Sequence, residues 1–140
     1  MKETVGRSVG MLSNLIRRHF STFSFDGTLS VAQGKALHFI LVRNSEGDVF
    51  QKDVEEEYSL RPPTATKLLK DMEKNGLIRR ETVPYDARLK RIVATEKALQ
   101  YQELICESLE ETESRLTNGI SEEDLDTFFR VIHQMIRNMS

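Results

Sequence analysis

Apolar residues at Val5, Val9, Leu12, Ile16, Phe20 and Phe23 step by four, three, four, four and three, the period of one helix face. The spacing predicts a long amphipathic helix near residues 3–23, with a stripe that needs a partner surface. Asp26-Gly27 then breaks the pattern. Ser30 is placed to cap a second helix over about 31–43, with Ala36, Leu37, Ile40 and Leu41 on its buried side. After a loop marked by Asn44, Ser45 and Gly47, the positions Val49, Phe50, Val54 and Tyr58 predict a short third helix near 51–57. Ser59-Leu60 reads as a turn and Pro62-Pro63 as the start of a fourth helix, because proline lacks an N–H that the first helical turn leaves unbonded anyway. Gly76, tolerant of positive φ, stops that helix. Helix, tight turn and helix make a helix-turn-helix.

The next segments, LIRRETV and LKRIVAT, are strand-like through alternation or β-branched enrichment and are joined by Pro84-Tyr85-Asp86-Ala87, which predicts a hairpin with a charged tip. From Glu96 the helical period returns through Ala98, Tyr101, Ile105, Leu109, Thr112 and Leu116, until Asn118-Gly119 ends it. Ser121 followed by Glu122, Glu123 and Asp124 signals a capped last helix, expected to be buried through Leu125, Phe128, Phe129, Ile132, Ile136 and Met139. The fold class is therefore mainly α with a small β-hairpin wing, an α+β winged helix-turn-helix. Residues 1–140 read as one domain, with a winged-helix lobe over 30–95 and a helical dimerisation region formed by 1–25 and 96–140. One chain of this size has too little core to cover the long terminal stripes, so a homodimer is expected.

Charge changes the picture locally. The chain carries a net −2, yet residues 61–91 hold nine Lys/Arg against four Asp/Glu, a local +5 that leaves −7 for the rest. A basic centre between acidic flanks points to an anionic partner, while a merely solvated face is the plainer alternative. On a helical wheel Ala65, Leu68, Leu69 and Met72 share one face, Lys67, Lys70 and Lys74 lie opposite, and Thr64 and Thr66 flank them. With Arg61 nearby, such a helix start suits a major groove, where hydroxyls reach base edges and cations reach phosphates. In the hairpin, Arg88 is the candidate for insertion into the minor groove, and Lys90 and Arg91 for backbone phosphates. Asp86 is expected to orient Arg88 rather than touch DNA.

Other chemistries find little support. A mean hydropathy of −0.44 and the lack of any apolar run near the roughly 20 residues of a membrane span exclude a membrane-embedded chain. The N-terminus has no uninterrupted apolar centre, so a secretion signal is not expected and a cytoplasmic location is. Cys106 is the sole cysteine, and His19, His38 and His133 are scattered, which leaves no metal-ligand spacing and no case for a metal-sensing variant. No nucleophile set or glycine-rich phosphate loop appears, and the acidic clusters fit helix surfaces and N-termini, so an enzyme and a cofactor are not expected.

The runs LSVAQGKALHFI and VEEEYSLRPPTATKLLKDMEKNGLIRRETVPYDARLKRIVATEKA resemble the MarR family of winged-helix transcriptional regulators over roughly residues 29–98. The most specific parts are MEKNGLIRR, at the end of the recognition helix and into the wing, and the D-x-R of Asp86 and Arg88. Arg61 stands where the family often has a Ser or Thr cap, Pro62-Pro63 replace polar residues, Leu89 replaces a charged or small one, and Ala98 stands where glycine is common. The resemblance implies a homodimer on double-stranded DNA at a palindromic operator, usually a repressor relieved by a small aromatic or phenolic effector. It would place such a ligand between the dimer helices and the winged lobe, against residues such as Arg17, His19 or His38. Oxidation-sensing members carry a cysteine near the N-terminus, whereas Cys106 falls in the fifth helix and is expected to be a packed thiol. A winged-helix module that docks an acidic protein remains the alternative function.

Overall fold

Local capping chemistry sets most element boundaries. In this computed structural model, which describes residues 2–20 and 29–140, helix α1 spans Val5–Phe20. Phe23 and the expected break at Asp26-Gly27 lie outside the described residues. Ser30 caps α2 (Val31–Asn44), its hydroxyl accepting from the Gln33 N–H at 3.2 Å. Helix α3 (Gln51–Tyr58) starts with Asp53 accepting from the Phe50 N–H at 2.8 Å, and ends at Ser59, whose φ of 52° is left-handed. Helix α4 (Pro62–Lys74) begins on the proline pair. It closes at Gly76, φ 75°, where the Leu77 N–H donates to the Met72 carbonyl and the Gly76 N–H to that of Glu73, a Schellman arrangement.

Strands β1 (Ile78–Val83) and β2 (Asp86–Ala94) form an antiparallel two-stranded sheet. The pairing runs regularly from Ile78 opposite Ala94 to Thr82 opposite Lys90, then jumps so that Val83 faces Asp86. The sequence placed Asp86 and Ala87 in the connection; the structure corrects this, with Pro84-Tyr85 as the turn and β2 starting at Asp86. The jump leaves Ala87, Arg88 and Leu89 unpaired with β1, a bulge that throws the backbone outward. β2 is tied back to the lobe by its Ile92 N–H, which donates to the Val49 carbonyl at 2.7 Å, and by Asn44, which bonds both Ile92 and Ala94.

The chain divides into two compact units, Met1–Ser108 and Leu109–Ser140. In the first, Leu37, Ile40, Val49, Val54, Ala65, Leu69, Met72, Leu77, Ile78, Ile92 and Ile105 are buried and form the core. Burying each large aliphatic there stabilises the fold by about 1.5–3 kcal/mol. Phe39 is buried too, edge-on to Tyr58, whose hydroxyl donates to the Lys35 carbonyl at 2.7 Å and whose ionisation burial pushes up to about 12. Helix α5 (Glu96–Thr117) buries Ala98, Tyr101 and Ile105, as its spacing predicts. Cys106, expected to be packed, is only half-buried, with Sγ 3.9 Å from the Nδ1 of His38.

In the second unit, Ser121 caps α6 (Glu122–Met139) by accepting from the Asp124 N–H. The expectation of a buried face on this helix is overturned within the single chain: Phe128, Phe129, Ile136 and Met139 are all exposed, and no residue of α6 is buried. Helix α1 behaves similarly, exposing Val5, Val9, Leu12 and Leu15 and burying only Phe20.

Candidate nucleic-acid interface

Helix α4 can present a polar face because its opposite face is packed: Ala65, Leu69 and Met72 are completely buried, and Leu68, expected on the same face, is half-buried. At 100° per residue this turns Thr64, Lys67, Lys70 and Lys74 to solvent, and all four are exposed. Arg61, the residue before the helix, is exposed as well and makes no side-chain cap. Pro62 and Pro63 remove two of the free N–H groups with which a helix start usually holds phosphate, so anion contacts here depend on side chains. An open groove along this face is lined by Pro62, Pro63, Thr66, Lys67, Lys70 and Asp71.

The short turn between α3 and α4 is locked by Gln51, a residue sequence reasoning missed. Its Nε2 donates to Thr66 Oγ1 at 2.9 Å, to Glu55 Oε2 at 3.1 Å and to the Pro62 carbonyl at 3.4 Å. Thr66 is thereby half-buried with its oxygen already an acceptor, while its hydroxyl proton stays available. The cations are not equivalent either. Lys67 Nζ lies 3.1 Å from Asp71, whereas Arg61, Lys70 and Lys74 form no ion pair among the described residues.

On the wing, Asp86 Oδ1 accepts from the Arg88 backbone N–H at 2.9 Å and lies 3.4 Å from its Nε. The shorter bond is to the main chain, so Asp86 shapes the bulge first and aims the guanidinium second. Arg88 projects into solvent, with its side chain 93% exposed. Lys90 is exposed and unpaired among the described residues. Arg91, assigned from the sequence to phosphate, is already ion-paired: Nε lies 3.1 Å from Glu81 and Nη1 3.6 Å from Asp48. Glu81 also pairs with Arg79 at 2.8 Å, and hydrogen bonds from Arg79 and Arg91 hold its carboxyl below the usual carboxylate range. The charge of Arg91 is thus largely answered within the lobe, by Glu81 of the wing and by Asp48 before α3.

The three residues singled out for an effector are not brought together by any described contact. Arg17 bonds Asn14 at 3.2 Å, His19 stacks obliquely near Phe20, and His38 neighbours Cys106. Among the described residues no cluster of three or more His, Cys, Asp or Glu is arranged to hold a metal ion, and no helix is long and apolar enough to cross a membrane.

A model of the MarR family matches residues 28–89. The fold is similar to the transcription regulator MarR from Oenococcus oeni PSU-1, at 29% identity over 96% of this chain and 99% of that one, with a TM-score of 0.84. It is similar to S. aureus MepR in a MepR-DNA complex, at 22% identity, 98% and 99% coverage and a TM-score of 0.87. A SlyA-like transcription regulator from Listeria monocytogenes matches at 21% identity, 99% and 90% coverage and a TM-score of 0.81.

Proposed function

We propose that this chain is a winged helix-turn-helix transcription regulator of the MarR family, and that it binds a palindromic DNA operator as a homodimer and represses transcription. One observation carries this most: α4 buries Ala65, Leu69 and Met72 completely while turning Thr64, Lys67, Lys70 and Lys74 outward beside a bulge that projects Arg88. The helix enters a major groove, where Thr64 and the Thr66 hydroxyl meet base edges and Arg61, Lys70 and Lys74 neutralise phosphates. Arg88, steadied by Asp86, reaches the adjacent minor groove, and Lys90 holds the backbone beside it. Lys67 and Arg91 contribute less, since each shares its charge with a carboxylate.

The homodimer follows from the open apolar stripes of α1 and α6, which a second copy of the chain would cover. Transcriptional regulation by binding involves no catalysis, in keeping with the family. The protein works in the cytoplasm, where its operator is. A small aromatic or phenolic effector relieves repression; a thermal-shift screen with small aromatic acids should find a stabilising ligand, and a flat screen would remove this part of the proposal.

The deciding experiment measures binding to the DNA adjoining its own gene against random duplex across a salt series. A specific complex tighter by about 10³-fold or more, weakening steeply with salt, is expected. Equal affinity at every salt would favour a protein-interaction module instead.

A further inference from the structure

We infer that Arg80 is a second anchor for the DNA backbone, a binding residue concealed on the inner face of the wing; the inference rests on the DNA-binding reading above. Opposite partners in an antiparallel pair share a face, so the register puts Ile78, Arg80 and Thr82 on one side of the hairpin with Ala94, Ile92 and Lys90. Ile78 and Ile92 are buried on that side, Arg80 is half-buried, and Thr82 and Lys90 are exposed. Arg80 therefore stands where the core face runs out toward the DNA-facing end of the wing.

Its electrostatic situation is unusual. Among the described residues Nε and Nη2 are both buried with no hydrogen-bond partner, and no carboxylate pairs with the residue. Nη1 is not among the sealed atoms, so the charge meets the surface there. A guanidinium withdrawn from water without an acceptor is costly. The neighbouring carboxylate, Glu81, lies on the opposite face of β1 and is occupied by Arg79 and Arg91. The diagonal neighbour across the strands on Arg80's own face is Lys90, a second cation that forms no ion pair among the described residues. Two cations on one face, with no anion between them, form a site for a group carrying negative oxygens. On a wing continuous with α4 that group is a backbone phosphate, which Arg80 can engage through Nη1 and Lys90 can share.

The signature is a residue that strengthens DNA binding without strengthening the fold. The test uses the full chain, a short random-sequence duplex, Arg80→Met and Arg80→Lys. In Arg80→Met, affinity should fall about tenfold at moderate salt and the log–log salt slope should drop by about one, while the melting midpoint holds or rises. Arg80→Lys should retain the wild-type slope. Wild-type affinity and slope in Arg80→Met would overturn the inference while leaving the DNA-binding reading intact. A lowered melting midpoint in both variants with unchanged affinity would overturn it too, marking a structural role. Absence of any salt-dependent DNA binding by the wild type would overturn both.

Discussion

Helices α4 and α6 carry the same sequence signal, a strong apolar stripe opposite a polar face, and the structure treats them in opposite ways. In α4 the stripe is the settled side: Ala65, Leu69 and Met72 have no exposure, and the cations opposite are left for a partner. In α6 the stripe is the unsettled side, with Phe129 44% and Ile136 54% exposed. Amphipathicity alone therefore says only that a helix has two destinations. Which face awaits an external partner is decided by whether the rest of the chain supplies a core for the other one.

Substitutions on the two helices separate these roles. The largest effect is expected from Leu69→Ala, which opens a cavity in a fully sealed site and should lower stability by about 2–5 kcal/mol in a urea titration. A loss below about 1 kcal/mol would mean that the α4 stripe is not core. On α6, Phe129→Asp combined with Ile136→Asp should shift the sedimenting species from two chains to one, a loss of about 2 kcal/mol or more at the interface, with helix content retained. An unchanged mass would show that this stripe serves something other than self-association. Smaller again, Arg88→Ala should weaken operator binding by about 1–2 kcal/mol without altering the dimer, and Asp86→Ala should weaken it by less. If Asp86→Ala binds more tightly, the net charge of the wing matters more than the posture of Arg88. The smallest effect concerns pH. Because the Glu81 carboxyl is held below its ordinary 4.5, its support for the hairpin is complete above that value and lost as pH falls through the lower, folded-state value. Amide protection factors in β1 and β2, corrected for the intrinsic pH dependence of exchange, should therefore fall on acidification below that range, and Glu81→Gln should abolish the dependence.

Most of the fold was legible because its boundaries are local. Ser30, Pro62, Gly76 and Ser121 each act on backbone groups within a few residues, and each ends or begins a helix where the sequence indicates. Wing details were less legible because they depend on pairing. Nothing in VPYDARLKR by itself fixes that Thr82 opposes Lys90 while Val83 opposes Asp86, and only that jump explains why Arg88 projects. The same holds for charge: counting cations weights Arg91 and Lys90 equally, but Asp48, distant in sequence, and Glu81 across the hairpin engage Arg91 and not Lys90. Gln51 reads as an ordinary polar helix residue until α4 brings Thr66 to it. The burial of Arg80 has no sequence signal beyond its alternation with Ile78, since adjacent Arg79 is exposed.

Gly76 joins the two elements proposed to face DNA through a span too short to be slack. Between the end of α4 at Lys74 and the start of β1 at Ile78 the chain turns once, through a left-handed backbone that an L side chain rarely adopts. The joint is pinned from outside as well, with Thr95 Oγ1 donating to the Gly76 carbonyl at 2.6 Å and Lys97 Nζ to that of Asn75 at 2.8 Å. Recognition helix and wing are in effect the two jaws of a caliper with a clamped pivot. A tool of that kind measures the separation between one groove and the next, so a duplex whose local twist or groove width departs from its setting would be rejected before any base edge is read.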